Sequence, residues 1–399
     1  MTVVLIGLAA FFTDTSTEMI QAIFPQYVLV VLGQGPAILG VILGMTDAVS
    51  NIIKGLSGWL SERMKQRKSL VIAGYSISNI VAKPLMGVFP STLPVFLLKI
   101  LDRVGKGVRA APRDALVAYH SKSKTGKAFG IYSAMDTMGA IAGPLLASLL
   151  LLITVSMFTL AMQLQFIIIF SLVPGIIAIL FLFFVQDVKQ KKEESGIAKP
   201  AETKKEIVNW AKIKPIMVLA SIEFASLNSG FLITRAGEFL DLMIVTLLYA
   251  GYNIVYAILS IKAGNVSDKI GRKKIITIGL ILLLAATIVM GLPFTNGSLL
   301  IPILVPVAFV LFGLYNGFMD PTSKAMVSDL SEKKKGITYG IYYFTVGLLS
   351  IPESLLFGWL YEVYGAPVAF IYEAIVLVIC IVIFVVAVPE TLKNHEEKG

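Results

Sequence analysis

Three acidic residues lie inside long apolar stretches of the chain. Asp14 and Glu18 are four residues apart in the polar run from Thr13 to Gln21, and Asp136 comes three residues before Gly139. At helical spacing Asp14 and Glu18 share one face. Two carboxylates this close do not both ionise easily in a low dielectric, so such a group is suited to binding and releasing a proton. We therefore expect Asp14, Glu18 or Asp136 to couple protons to another process.

A basic stripe follows in a later segment. Asp102, Lys106, Arg109 and Arg113 are spaced at i, i+4, i+7 and i+11, which places them along one side of a helix. Charge-assisted hydrogen bonds from Lys106 and Arg109 suit a carboxylate or phosphate group. The stripe therefore predicts a wall that binds an organic anion.

The same charges support a structural alternative. An ionisable side chain at bilayer depth costs at least about 2.5–3.5 kcal/mol, so it faces a cavity or a partner. Asp14 or Glu18 can instead form a permanent ion pair that holds the first part of the chain together. The candidate partners are Arg103, Lys106 and Arg109.

The elements that position these residues are membrane helices. The 399 residues are 56% hydrophobic and 15% charged, with a mean hydropathy of +0.83, whereas a soluble domain carries about a quarter charged residues. A membrane helix needs roughly 20 apolar residues, so the sequence predicts an all-α membrane protein with twelve transmembrane helices. The predicted segments are 3–31, 37–61, 69–89, 93–118, 127–153, 158–186, 213–235, 241–263, 274–293, 299–325, 336–361 and 366–390.

Charge in the loops predicts the orientation. Basic clusters follow the second, fourth, eighth and tenth segments, and more lysines fill residues 187–212 between the sixth and seventh. The positive-inside rule places these loops and both termini in the cytoplasm, so the net charge of +9 reflects membrane topology and not nucleic-acid binding. We expect two bundles, 1–186 and 213–399, joined by a cytoplasmic linker at 187–212, in the cytoplasmic membrane.

One loop occurs twice, which indicates that the two bundles are homologous. Gly58-Trp-Leu-Ser-Glu62-Arg63 returns 206 residues later as Gly264-Asn-Val-Ser-Asp268-Lys269-Ile-Gly271-Arg272-Lys273. Membrane proteins built from two related bundles are mostly transporters with a binding site between the halves. In the tenth segment, Asp320-Pro321 predicts a break in the helix, either as the start of a mobile half-helix or as a simple kink.

Twelve helices with this repeated loop resemble the major facilitator superfamily, and the resemblance covers essentially the whole chain. In that family the loop is a cytoplasmic latch, which implies gating roles for both copies and for the neighbouring Asp114. The fourth helix resembles the family's signature at Arg103 and Gly107, where the arginine is associated with proton coupling. The implied latch residues are Gly58, Glu62, Arg63, Asp114, Gly264, Asp268, Lys269 and Arg272.

The fifth segment is similar to the signature of the drug:proton antiporter branch of that superfamily. Gly130, Gly139, Gly143 and Pro144 have the expected spacing, and this implies export. Small residues four apart also let two helices approach closely, and a proline permits a bend. Plain helix packing therefore remains an alternative explanation.

The function that these features favour most is proton-coupled export of small amphipathic molecules by alternating access. The alternative is proton-coupled uptake or exchange of an organic anion held by the fourth-helix stripe. Aromatic residues of the second half are expected to complete the cavity, and the lipid bilayer, protons and a small substrate are the expected partners of a monomer. With one cysteine and two histidines, we expect no metal site, no cofactor and no enzymatic activity, although a non-transporting receptor on this fold stays open. The aromatic cavity candidates are Tyr256, Tyr315 and Tyr342.

Overall fold

The computed structural model describes residues 1–63, 67–121, 125–187, 210–295, 297–331 and 335–391, and the side chains of 55–63, 210–212 and 335–337 are outside this description. Within those ranges the ordered elements are all helical. The predicted linker, 187–212, lies almost wholly outside the described residues.

The first half contains six helices, two of which change geometry along their length. In α3 a π-helical segment, Ile77–Ala82, separates two α-helical parts, and α1 ends in a π-helical segment at Tyr27–Val31. The helices are α1 (Thr2–Gln26), α2 (Pro36–Arg63), α3 (Arg67–Ser76 and Lys83–Val88), α4 (Thr92–His120), α5 (Thr125–Thr154) and α6 (Leu160–Phe170 and Leu172–Phe183).

The second half also contains six helices, and its first member is interrupted. In α7 the helix tightens at Ile222–Ala225 and stops, and Asn228 caps a new half-helix by accepting a hydrogen bond from the Gly230 amide at 2.8 Å. The helices are α7 (Trp210–Ser221 and Ser229–Gly237), α8 (Leu242–Ile270), α9 (Arg272–Met290), α10 (Ile301–Leu330), α11 (Lys335–Tyr364) and α12 (Ala366–Ala387).

The prediction of an all-α membrane protein is confirmed. In the described ranges, 11 helical stretches are long and apolar enough to cross a membrane. The remaining helix, α4, carries too many charges to meet that criterion, although it has 29 residues. Its charged side chains are accommodated by the packing of the bundle, as described below.

A separate half-helix at Asp320-Pro321 is not present in α10, which leaves the predicted alternative of a simple kink. This helix is continuous through Pro321, because a proline removes one backbone hydrogen bond and a long packed helix tolerates the resulting kink. The interruption occurs in α7, where no proline lies at the break and the Asn228 side chain accepts a hydrogen bond from the Gly230 amide.

Small residues set the closest helix contacts. A side chain at Gly139 would overlap the Phe11 carbonyl on α1, and one at Gly143 would lie 2.7 Å from the Thr15 carbonyl oxygen, whereas Gly130 faces open space. Close packing of α1 on α5 therefore accounts for the lack of a side chain at Gly139 and Gly143.

The two halves meet mainly where α2 packs on α11 and α5 on α8. At the first residues of α2, Gly40 lies against the Ser354 carbonyl and Gly358 against the Pro36 carbonyl, so backbones touch directly. These contacts close one side of the molecule. The opposite side is the one at which α2, α4 and α10 end, next to the basic loops of the sequence.

Candidate functional site

A cavity of about 540 Å³ lies between the halves, toward the side that carries the basic loops. The first half contributes α2 and α4 to its wall, and the second half contributes α7, α10 and α11. This volume is within the range of about 300–1,000 Å³ typical of small-molecule sites. The cavity is therefore the candidate binding site.

The first-half wall is basic. Arg113 donates to the Asp114 carboxylate at 2.8 Å and lies 4.6 Å from the centre of the Tyr132 ring. Lys54 donates to the Asn51 amide oxygen at 3.4 Å. Lys106 also lines the cavity, and within the described residues it makes no ion pair or hydrogen bond. Its ammonium group is therefore the wall's available cation.

The second-half wall combines an acid with aromatic rings. Glu223, Tyr315 and Tyr342 line it, and the Tyr315 hydroxyl lies 2.9 Å from the Ser226 hydroxyl. Among the described residues the side chain of Glu223 has no ion pair or hydrogen bond. The base Lys106 and the acid Glu223 thus lie on the two walls of one cavity.

Tyr256 lies beside this wall and not in it. Its hydroxyl donates to Asp320 at 3.2 Å, and Asp320 pairs with Lys324 at 2.7 Å on the cavity side of α10. Tyr256 is the end of a row in which the rings of Tyr249, Tyr252 and Tyr256 stack along α8. The predicted contact of Tyr256 with substrate stays a prediction, and in this structure the Tyr256 hydroxyl contacts an acid of the wall.

The proposed proton-coupling acids separate into two groups. The Asp136 carboxyl on α5 lies within hydrogen-bonding reach of the Asp14 carboxyl on α1 and accepts a hydrogen bond from Tyr132 at 3.2 Å. Glu18, one turn farther along α1, instead accepts from the Tyr249 hydroxyl of α8 at 2.9 Å. The spacing in sequence pairs Asp14 with Glu18, whereas the packing of α1 on α5 pairs Asp14 with Asp136.

The basic residues of α4 do not form the alternative ion pairs with α1. Arg103 reaches its neighbour Asp102 at 4.0 Å, and the Arg109 guanidinium lies 4.2 Å from the centre of the Tyr75 ring on α3. In the described part of the chain no ion pair joins either arginine to Asp14 or Glu18. Arg109 points away from the cavity, so only Lys106 and Arg113 of the stripe line it.

A buried lysine explains the polar run in α1. Lys83 of α3 is 1% exposed, and its ammonium group donates to Thr17 Oγ1 at 2.7 Å and to Asn79 Oδ1 at 2.8 Å. Weaker contacts reach Ser16 and the Thr13 carbonyl. In the sequence Lys83 is an isolated charge. The hydroxyl groups of the polar run in α1, which need a hydrogen-bond donor from another helix, are the feature that could have indicated where Lys83 lies.

Two hydrogen bonds join the halves next to the cavity. Tyr249 of α8 donates to Glu18 of α1, and Asn228 of α7 donates to Asp47 of α2 at 2.7 Å. Each pairs an acid of the first half with a neutral donor of the second. Separation of the halves at this level breaks both bonds, so we expect them to stabilise the facing state seen in this structure over the opposite one.

Replacing Tyr249 with Phe tests that assignment. The variant loses one hydrogen bond to a charged group, worth about 1.5–3 kcal/mol, so we expect the equilibrium to shift roughly tenfold or more toward the opposite facing state. Distances between spin labels on α2 and α11 measure the shift. Tyr364→Phe, an exposed tyrosine at the end of α11, is the control, and an unchanged distance distribution in Tyr249→Phe contradicts the assignment.

The second copy of the repeated loop is held within its own half. Arg272 forms ion pairs with Asp268 and with Asp329 of α10, and its amide donates to Glu390 at 2.9 Å. Gly264 faces open space. The predicted latch across the halves therefore stays a prediction, and the Gly58, Glu62 and Arg63 side chains lie outside the described residues. Of the other implied latch residues, Asp114 pairs with Arg113 and Lys269 is exposed.

Comparison with known proteins gives consistent relatives over nearly the full chain. The model of the Major Facilitator Superfamily matches residues 6–236 and 215–399. An uncharacterized MFS-type transporter of Methanocaldococcus jannaschii is 34% identical, over 94% of this chain and 92% of its own length. An uncharacterized protein of Mycobacterium tuberculosis is 24% identical, over 91% of this chain and 87% of its own.

Solved structures share the fold at low sequence identity. A point mutant of the nucleoside transporter NupG superposes with a TM-score of 0.81 at 12% identity, over 97% of this chain and 100% of that one. The xylose transporter XylE from E. coli, in a partially occluded inward open conformation, superposes with a TM-score of 0.73 at 16% identity, over 98% of both chains.

Proposed function

Because the chain belongs to the major facilitator superfamily and is thus a membrane transporter, we propose that it exports small amphipathic molecules bearing an anionic group in exchange for protons. Transport proceeds by alternating access of one central cavity. The solved relatives share only the fold at this level of identity, so the proposal takes no substrate from them.

The observation that carries the proposal is the cavity wall. Lys106 has no partner among the described residues and faces a wall formed by Glu223, Tyr315 and Tyr342. A carboxylate or phosphate on the substrate neutralises the ammonium group of Lys106, and an aromatic or aliphatic body packs on the tyrosine rings. The charge of Lys106 favours an anionic amphipath over the lipophilic cations carried by many exporters.

Proton coupling is assigned to Asp14 and Asp136. A carboxyl–carboxyl hydrogen bond requires a proton between the two groups, and loss of that proton sets two negative charges against each other across the α1–α5 contact. Since α5 also packs on α8 of the other half, a change at this contact alters the interface between the halves. Protons and substrate each shift the equilibrium between the two facing states only as far as they bind one state more tightly than the other.

The direction of transport rests on the glycine pattern of α5, which resembles that of antiporters. The same basic wall also supports the second candidate, which is proton-coupled uptake or exchange of an organic anion. Flux of carboxyfluorescein, an anionic amphipath, in proteoliposomes with an acidic or alkaline interior separates the two. Movement of carboxyfluorescein in the direction opposite to the proton flux supports export, and movement in the same direction as the proton flux supports uptake. Transport of the cation ethidium without transport of carboxyfluorescein contradicts the anionic assignment.

Lys106→Ala tests the binding site directly. A charge-assisted hydrogen bond is worth about 1.5–3 kcal/mol, so we expect the anion concentration needed to protect the purified protein against heat to rise roughly 10- to 100-fold. Benzoate, glucose phosphate and carboxyfluorescein serve as probes. Lys262→Ala, at an exposed position on α8, is the matched control, and equal protection of Lys106→Ala and the parent protein overturns the site.

A further inference from the structure

Two buried glutamates of the second half lie on the neighbouring helices α11 and α12, and in the described part of the chain no ion pair joins either of them to a basic residue. Glu353 on α11 is 4% exposed and Glu373 on α12 is 1% exposed. Ser354 donates to one oxygen of Glu353. The other oxygen of Glu353 and both oxygens of Glu373 are buried with no hydrogen-bond partner in the described part of the chain.

The electrostatic surroundings of the two glutamates are acidic. The charged groups that act on Glu353 are Glu373, then Glu223 of α7 and Asp47 of α2. Beside Glu373 are Tyr372 and Cys380 of its own helix. Lys54 of α2 is a basic group that interacts electrostatically with Glu223.

Two negative charges are not stable in such a place. A buried unpaired carboxylate costs several kcal/mol, and a second carboxylate beside it adds repulsion. The three unpartnered oxygens therefore require a positive charge from outside the chain. A proton is the smallest cation that fits between two packed helices, and one proton neutralises one of the two carboxylates.

The two glutamates are connected to the cavity by the interruption of α7. The short turn Ile222–Ala225 packs against both α11 and α12, and it carries Glu223 into the cavity wall. Tyr315 lines the same wall. Its hydroxyl interacts electrostatically with Glu223, Glu373 and Glu353. Interrupted membrane helices commonly form ion sites, because their backbone groups leave the regular ladder.

We propose that Glu353 and Glu373 form a second proton-binding site, loaded from the cavity through Glu223. A proton from cavity water adds to a carboxylate oxygen of Glu223 and passes to Glu353 or Glu373. Each step breaks one O–H bond and forms another. The site deepens the proposed proton coupling, and rests on it, by giving the second half its own proton carrier, distinct from Asp14 and Asp136.

Labelling with dicyclohexylcarbodiimide tests proton occupancy on the full chain in membranes. The reagent adds to a protonated carboxyl in an apolar setting, and the adduct rearranges to a stable acylurea that mass spectrometry locates. We expect labelling of Glu373 or Glu353 that declines as the buffer is made alkaline and slows in Glu223→Gln. The exposed Glu362, also on α11, is the internal control and is expected to stay unlabelled.

Two results of that experiment overturn the proposal. Absence of label on both buried glutamates at every pH means that they do not exchange protons with the cavity. Suppression of labelling by Na⁺ at constant pH means that the cation is a metal ion and not a proton.

Transport by Glu373→Gln and Glu353→Gln provides a second test, which also separates this site from the first one. We expect proton-driven flux of carboxyfluorescein to fall to background, while exchange of carboxyfluorescein across the membrane without a gradient persists. Parallel loss of both fluxes, or retention of both, indicates a structural role and overturns the site. If Asp14→Asn loses proton-driven flux while Glu373→Gln keeps it, the proposed function stands and only this inference fails.

Discussion

Asp14→Asn is expected to reduce proton-driven flux of carboxyfluorescein in proteoliposomes to the level of empty liposomes. An amide has almost the shape of a carboxyl, but it cannot bind or release a proton. It donates permanently to Asp136, which lies within hydrogen-bonding reach of Asp14, and so imitates the protonated state. Exchange without a gradient does not need proton turnover, and we expect it to persist.

A matched variant shows whether the loss is specific. Asp241 is exposed and caps α8 by accepting from the Met243 amide at 2.8 Å, and asparagine caps helices equally well. Asp241→Asn should therefore transport normally. Undiminished pH-driven flux in Asp14→Asn would remove the assignment of Asp14, and loss in Asp136→Asn alone would move the proton site to α5.

Gly358→Val is expected to trap the transporter with the cavity open to the opposite side. Even a single methyl group at this position overlaps the Pro36 carbonyl of α2, so the α2–α11 contact cannot close. Overpacking typically costs about 1–3 kcal/mol, which corresponds to roughly a 5- to 150-fold change in the ratio of the two facing states. We expect net transport to fall by a similar factor.

Cysteine accessibility measures this change. The single native cysteine, Cys380, permits a Cys380→Ser background, in which Asn316→Cys places a thiol in the cavity wall. An impermeant maleimide should label this thiol from the basic-loop side in the parent protein and more slowly in Gly358→Val. Gly251→Val has open space for its side chain and serves as control, and unchanged labelling in Gly358→Val shows that this contact does not limit closure.

The membrane helices could be predicted from the sequence because the length of an apolar segment and the charge of a loop are local properties of the chain. Even α4 was recognisable, although its charges remove it from a count based on hydropathy alone. The interruption of α7 was not readable, since it depends on Asn228 capping a half-helix and not on a proline.

The candidate site was predictable only in part. Lys106, Tyr315 and Tyr342 line the cavity as expected, whereas Arg109 turns to Tyr75. The choice between these two basic residues of one helical stripe depends on a neighbouring helix, which spacing does not reveal. The contact of Asp14 with Asp136 joins two different helices, and Glu353 and Glu373 also lie on different helices. No pattern within one segment therefore indicates either pair.

The charges of α4 also have a consequence for how the chain enters the membrane during synthesis. A helix with Lys99, Asp102 and Arg109 at bilayer depth is unfavourable in lipid by at least about 2.5–3.5 kcal/mol per charge. Each of these side chains meets a residue made earlier: Lys99 lies near Gln21, Asp102 accepts from Ser78, and Arg109 covers Tyr75. We therefore expect α4 to insert only after α1 and α3 are in the bilayer. Because α1 and α3 precede α4 in the chain, they are synthesised first and can provide these partners.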